Sequence, residues 1–520
     1  MAKLKVKNIE SLANELNNKF NGAFSSSLKI GVVAFSDNFS SRNYAQELAQ
    51  MVEREIVKNG IEAETIVMPS INERFRTFTS GNYVLDAHKK QISNYLELML
   101  YEKAFDGVVF IPNSLTSTLG SLASSIRLNL PTIVLPQGLT PVKDGANLKD
   151  ILSYPGKIAT GEKSVFDLDE NQKKFSEVYG SGSTLNGENL FNIILEVMEL
   201  SVKNSATTYA QTYEKDAQAL LTAQTIVSLT KNRLPLRKLI NKKSILNAIN
   251  LNFCLGGSPI VIDALMFLSK EAELDFDTTK VLNSSKNIPV LYNTNLGIET
   301  FIENGGTWAL IKAMIKNKII DGNYKTFADT TLSDETKKIS NYENFNIVKK
   351  ESIVLLRGNI ADRYAIAKTI NIPEEKTKII SNAQVFSSDE EACNAVLNKA
   401  VTENSVIVIK ECGKNVETGV STISQTTLAL ESMGLTNNHI VVTDGFVPDD
   451  TTAICISCVY PDSNGGNIRF VKDGDEVEID FVKGKLNIEV NSREMTLRQK
   501  KFIKEKRILP KYLTMLNNNK

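Results

Sequence analysis

The sequence predicts an α/β domain with a parallel sheet, joined to a strand-dense C-terminal domain of the barrel or sandwich kind. Three observations carry this expectation. From Leu28 onward, continuous Val/Ile runs alternate with amphipathic stretches of helical length, the pattern of a parallel sheet covered on both faces. Beyond about residue 346 the apolar runs become short and closely spaced. The chain has 520 residues, more than one hydrophobic core ordinarily serves. The expected domains are residues 1–335 and 346–520.

Each element has its own signal. "LKIGVVAFS" reads as a first strand, "YAQELAQMVEREIVKNG" as a helix stopped at Gly60, and "IEAETIVMP" as a second strand. A helix at "KKQISNYLELMLYEKA" leads to the strand "DGVVFIP", the helix "STLGSLASSIRLNLP" and the strand "PTIVLPQG". Residues 139–160, which contain two Pro and two Gly, read as a long connector. From about 186 to 320 the pattern is mainly helical, and two helices there begin on small residues, at "GGSPIVIDAL" and "NGGTWALIKAM". A Gly-Gly-Ser helix entry can hold an anionic group on uncovered amides, or it can be a tight turn. Periodicity fades at 330–346, the expected domain boundary. The strands expected after it are "SIVLLRG", "TKIIS", "SVIVIK", "HIVVTDG", "AICISCVY", "NIRFV", "EVEIDF" and "KLNIEV", the last two forming a hairpin around Lys483-Gly484. The tail "REMTLRQKKFIKEKRILPKYL" reads as a basic helix with a solvated charged face.

Composition narrows the function classes. Lys+Arg and Asp+Glu are both 60, so net charge gives no reason to expect nucleic acid or an anionic membrane as a partner. Hydrophobic residues make up 42% and charged residues 23%, ordinary for a globular chain. Five scattered cysteines do not form a disulfide framework, no 18-residue apolar run occurs, and the N-terminal stretch has no signal-peptide core. The expectation is a cytoplasmic protein.

The motifs that carry chemistry are longer. "NLNFCLGGSPIVIDAL", "NIPVLYNTNLGIETFIENGGTWALIKAM", "LRGNIADRYAIAKT", "NAQVFSSDEEA" and "VTDG" followed by "CISCVYPDSNGGNIRFVKDGDEVEIDF" occur in that order. Together they resemble the dihydroxy-acid dehydratase and 6-phosphogluconate dehydratase family, over about residues 28–512. The resemblance implies an N-terminal α/β domain packed on a C-terminal β-barrel, with the active site between them, and a homodimer or a pair of dimers. It also implies removal of water from a 2,3-dihydroxy acid. A three-cysteine iron–sulfur cluster would act as Lewis acid, magnesium would orient the carboxylate, and a serine alkoxide would take the proton.

Carried over position by position, the resemblance meets replacements. The cluster cysteines fall on Ser41, Ser114 and Gly182, and no cysteine precedes Cys254. The magnesium positions fall on Glu73, Leu115, Thr116 (the family's carbamylated lysine) and Thr422, of which only Glu73 is a plausible ligand. The base position falls on Pro448, which has no proton acceptor. Neutral serine or glycine is a poor substitute for thiolate, and one carboxylate does not make a magnesium site. The expectation is therefore a divergent, non-catalytic homologue without iron–sulfur cluster or magnesium. It would keep the fold and its subunit contacts, with a pocket for a small hydroxy acid at Gly256, Gly257, Ser258, Asp444 and Gly445, or a role alongside an active paralogue. The alternative is a hydro-lyase with cluster-independent chemistry that uses Glu73 and Cys412.

The remaining candidates have structural readings. Cys455 and Cys458 lie three apart on an apolar strand, which sends them to opposite faces and does not suit a redox or zinc pair. Cys254 and Cys393 lie in apolar helical surroundings. His88 and His439, the only two histidines, read as surface or capping residues. No glycine-rich phosphate loop is present in "GVVAFSDNFSS".

Overall fold

A computed structural model of the chain describes residues 28–36, 44–70, 85–142, 147–174, 180–323, 326, 330–416 and 419–501. Four parallel strands, β1 (Lys29–Ser36), β2 (Glu62–Pro69), β3 (Gly107–Ile111) and β4 (Thr132–Val134), form a sheet in the order β2-β1-β3-β4. Alternation along β1 assigns its side chains to two different cores. Ile30, Val32 and Ala34 pack with Leu48, Val52 and Ile56 of helix α1 (Tyr44–Lys58), whereas Val33 and Phe35 pack with Ile92, Leu96 and Leu100 of α2 (Leu85–Glu102). Helix α3 (Leu115–Leu128) follows β3 directly and lies against α2.

Residues 148–160, expected as part of a connector, form helix α4 (Leu148–Thr160) instead. Pro155 and Gly156 argue against a helix locally, but Asn147 and Asp150 close a reciprocal cap at the start and Gly161 takes the left-handed conformation at the end. Tertiary packing supplies the rest: a Cβ on Gly156 would stand 1.9 Å from Ser432 Oγ. The glycine is what allows the helix to lie against the C-terminal domain.

Helices α5 (Gly187–Val197), α6 (Tyr213–Lys231), α7 (Lys242–Cys254), α8 (Pro259–Glu271) and α9 (Gly306–Lys316) bear out the mainly helical reading of this region. Four of them build the largest apolar core, around Phe191, Phe253, Leu265 and Leu310, while α6 covers the first face of the sheet.

The C-terminal domain is a closed barrel of eight strands: β5 (Ile353–Gly358), β6 (Ala361–Lys368), β7 (Lys378–Phe386), β8 (Val406–Ile409), β9 (Ile440–Thr443), β10 (Ile454–Tyr460), β11 (Glu476–Asp480) and β12 (Lys485–Ile488). The order β10-β6-β5-β12-β11-β7-β8-β9 leaves no open edge. The β11–β12 hairpin turns as expected, with Asp480 opposite Lys485 and Gly484 at positive φ. Two expectations need correction. "NIRFV" is a 3-10 turn (Asn467–Phe470), because Ile468 and Val471, three residues apart, both plug the barrel core. His439 is only 4% exposed, with Nδ1 beside Ser405, and so is not a surface residue. Cys455 and Cys458 do face different cores, although a bulge at positive-φ Cys458 interrupts the alternation. Between β9 and the preceding loop, helix α10 (Gln425–Ser432) packs against α4.

Candidate functional site in the interdomain cleft

The first turn of α3 and the loops after β8 and β9 meet in a cleft between the domains. One of its cavities, about 200 Å³, is lined by Leu115 and Thr116 from α3 and by Thr422, Phe446, Pro448 and Asp449 from the barrel domain. Pro448 also lines a second cavity of about 90 Å³, which contains Gly182, Lys149, Glu431 and Asp450. Leu115, Thr116, Thr422 and Pro448 therefore share one cavity, Gly182 meets Pro448 in the other, and Ser114 immediately precedes Leu115. Ser41 and Glu73 lie outside the described residues.

Local chemistry decides what these positions can hold. Ser114 ends the β3–α3 connection and is the N-cap of α3: its Oγ accepts from Ser117 N at 3.2 Å, and Ser117 Oγ accepts from Ser114 N at 3.1 Å. Its hydroxyl already completes a helix end. Leu115 offers no ligand atom. Gly182 has no side chain, and its amide donates to Thr140 Oγ1 at 3.0 Å while its carbonyl accepts from Thr140 N. Thr422 is set beside the β9 loop by a parallel bridge to Phe446 and presents a neutral hydroxyl. Among the described residues no group of three or more His, Cys, Asp or Glu side chains converges on a point. Burial raises the thiols of Cys254, Cys393, Cys455 and Cys458 well above their ordinary value. At the described aligned positions, Ser114, Leu115, Thr116, Gly182 and Thr422 supply neither a thiolate for an iron–sulfur cluster nor a carboxylate for magnesium.

The residues expected to hold a hydroxy acid are mostly engaged internally. Gly256 N donates to Phe253 O, Gly257 N to Asn252 O and Ser258 N to Asn252 Oδ1, while Ser258 Oγ caps α8 at Val261 N. The tight-turn reading describes this segment. Asp444 is 4% exposed and accepts from Cys412 N at 3.0 Å and Ser463 N at 2.8 Å, so it ties two loops together. Burial raises its pKa, against the pull of those donors. Gly445 gives room: a Cβ there would stand 2.7 Å from Ser421 O. Cys412 is 4% exposed and donates to Lys410 O. It lies past the end of β8 opposite to the one where His439 meets Ser405, so the barrel itself keeps thiol and imidazole apart.

The charged groups of the cleft escaped sequence reasoning. Lys89 pairs with Asp86 at 2.9 Å on one wall, and Lys414 pairs with Asp263 on the other. Burial alone would raise Asp86, yet Lys89 and Lys90 hold it well below the carboxylate range. Burial likewise disfavours the Lys414 ammonium, and Asp263 more than compensates. Asp449 is 1% exposed, and neither of its carboxylate oxygens accepts a well-formed hydrogen bond. Burial pushes its pKa up to about 6, opposed by the charge of Lys368 and by a side-chain hydrogen bond with Ser258. Its main-chain carbonyl is by contrast held twice, by Lys368 Nζ at 2.7 Å and Thr294 Oγ1 at 3.2 Å. The only sequence signal was the pair of acids directly following Pro448.

An α/β domain and a closed barrel share a polar cleft at their junction, the kind of place where ligand sites commonly form. Comparison with known proteins makes this specific. The model of the dihydroxy-acid/6-phosphogluconate dehydratase N-terminal domain matches residues 29–335, and that of the C-terminal domain matches residues 339–520. The dihydroxy-acid dehydratase of Hydrogenobaculum sp. (strain Y04AAS1) is 26% identical over 501 residues, covering 92% of this chain and 90% of its own. That of Methanococcus vannielii is 28% identical over 510 residues, covering 93% and 91%. The chain belongs to the dihydroxy-acid/6-phosphogluconate dehydratase family. Among its described residues no helix is long and apolar enough to cross a membrane.

Proposed function

We propose that this chain is a non-catalytic member of its family, one that keeps the interdomain cleft as a site for a small hydroxy acid and needs neither cluster nor magnesium. One observation carries the reading: Leu115, Thr116, Thr422 and Pro448 line a single cleft, and none of the four offers a carboxylate, thiolate or alkoxide there. Loss at one position would weaken a function, whereas joint replacement of ligands and base removes its chemistry.

The test is iron and sulfide analysis of anaerobically purified protein, together with a turnover assay on 2,3-dihydroxy acids and sugar acids with Mg²⁺. Colourless protein without iron or turnover is the expected result. A cluster absorption band, or dehydration above background, overturns the reading. Turnover that Glu73→Gln or Cys412→Ser abolishes would establish the alternative, a cluster-independent hydro-lyase. Self-assembly belongs to the same proposal, supported by the exposed Tyr95, Leu98 and Tyr101, three apart along α2. Co-purification from the native cell distinguishes a homo-oligomer from a complex with an active paralogue.

A further inference from the structure

We propose that Glu196 and Lys215 form a proton-controlled clasp on residues 202–211, the segment that supports the glycine loop of the cleft, and that this clasp opens most readily near neutral pH. The clasp holds one wall of the cleft and is independent of what the cleft binds.

Two buried side chains of opposite charge hold one stretch of main chain. Glu196, near the end of α5, is 1% exposed, and Lys215, in the first turn of α6, is 0% exposed. Both grip the same three residues. The carboxylate accepts from Asn204 N at 3.0 Å and Ala206 N at 2.8 Å, whereas the ammonium donates to the carbonyl of Ser205 at 3.0 Å. Lys215 Nζ also donates to Gln218 Oε1 at 3.1 Å, and Gln218 Nε2 donates to Thr208 Oγ1 at 2.6 Å. Asn204 and Gln211 take the left-handed conformation, which residues other than glycine keep only where their surroundings hold it. From this segment the hold passes to the cleft. Leu139 N donates to Thr208 O and Ala210 N to Leu139 O, Gly138 O accepts from Ser181 N, and Thr140 bonds both main-chain groups of Gly182. Gly182, Ser183 and Thr184 line the cavity of about 90 Å³.

The burial that shapes the clasp also strains it. Burial pushes the Glu196 carboxyl up to about 7, opposed by the amides of Ala206 and Asn204, a side-chain hydrogen bond with Trp308 of α9 and the charge of Lys215. Burial pushes the Lys215 ammonium down to about 7, opposed by the charge of Glu196. The other ionisable groups lie around the pair: Glu199 and Lys203 beyond the end of α5, Glu214 and Asp216 beside Lys215, and Tyr44 of α1, whose hydroxyl accepts from Gln211 N. Lys203 leans over the ring of Trp308 and pairs with Glu335. A raised carboxyl contributes stability that is fully present below 4.5 and is lost as pH rises through about 7. A lowered lysine contributes stability that is fully present above 10.5 and is lost as pH falls through about 7. Opening hydrates both groups, so the closed clasp is weakest between these limits and tightens on either side.

The test is hydrogen exchange of the full chain, read by mass spectrometry at pH 5, 7 and 9, with protection corrected for the intrinsic exchange rate at each pH. Residues 202–211 and 180–184 should be about tenfold or more less protected at pH 7 than at pH 5 or 9, while β3 changes less than about threefold. Acrylamide quenching of Trp308, the only tryptophan, should peak near neutral pH for the same reason. Glu196→Gln, which keeps the shape without the charge, should remove the acid limb and leave protection at pH 5 and pH 7 alike. Lys215→Met should remove the alkaline limb in the same way, and the wild-type profile decides alone if neither variant folds. A flat profile, or one that rises or falls steadily from pH 5 to 9, overturns the clasp. So does an acid limb that survives in folded Glu196→Gln, which would assign it to another group such as His88 or His439. A dip at 202–211 that leaves 180–184 unmoved overturns the link to the cleft.

Discussion

At the scale of single residues, side chains with the same chemistry have opposite roles in this cleft. Asp444 and Asp449 are both buried carboxylates on one loop, yet Asp444 takes two amide protons and Asp449 takes none. This difference was not legible in the sequence, where Asp444 and Gly445 were candidates for the pocket and Asp449 was not singled out. Hydrogen-bond partners distant in the chain, Ser463 for one and Lys368 for the other, decide the matter. What the sequence did carry was the lack of a ligand atom at Leu115 and of a proton acceptor at Pro448, because residue type alone settles whether such an atom exists. The raised pKa of Asp449 has a consequence for stability. Its folded value of about 6 lies above the ordinary 3.8, so its stabilising contribution is fully present below pH 3.8 and is lost as pH rises through 6. Asparagine does not titrate. Asp449→Asn should therefore gain on the wild type between pH 4 and 7, by about 2–3 kcal/mol at the plateau, since each pKa unit is worth about 1.4 kcal/mol. Urea unfolding at pH 4.5 and pH 7.5 measures that difference, and a constant gap between the curves would contradict it.

At the scale of elements, the strands and helices with strong periodicity were legible, and those shaped by neighbours were not. β1 and β3 announced themselves as apolar runs, and α1 as an amphipathic stretch with Gly60 beyond its end. β6 was passed over within "LRGNIADRYAIAKT", because Asp362 and Arg363 break its apolar pattern at the half that is less buried. Helix α4 was hidden for a stronger reason. Local propensity disfavours Pro155 and Gly156, while its cap and its fit against α10 are properties of the folded chain. The fit makes a prediction that runs against propensity. Gly156→Ala should destabilise the protein by about 1–3 kcal/mol although alanine is the better helix former, because the new Cβ would overlap Ser432. In a Ser432→Gly background the same change should cost less than half as much. Equal costs in the two backgrounds, measured by denaturant melts, would show that α4 and α10 do not interlock there.

At the scale of the whole molecule, the two-domain plan and a barrel-like C-terminal domain were legible from the change in strand spacing near residue 346 and the family resemblance, but the order of the barrel's strands was not. Which strand lies beside which is set by pairing between distant segments, as in the neighbours β5 and β12, and local pattern is silent about it. The cleft likewise exists only once both domains are in place. Restoring one functional group should therefore not restore a reaction: Pro448→Ser, alone or with Thr422→Glu, should leave 2,3-dihydroxy-acid turnover at background, since Ser114 still caps α3 and Gly182 still lacks a side chain. Turnover rising clearly above background in either variant would mean that the remaining cleft is more complete than its side chains indicate. The double hold on the carbonyl of Asp449 bears on how such a site can change. Lys368 and Thr294 grip the main chain and ignore what is attached to it, so the loop's course does not depend on the side chains it displays. Chemistry at this junction can then be exchanged residue by residue on an unchanged track, and saturation mutagenesis at positions 448 and 450 should return mostly folded proteins with different binding preferences.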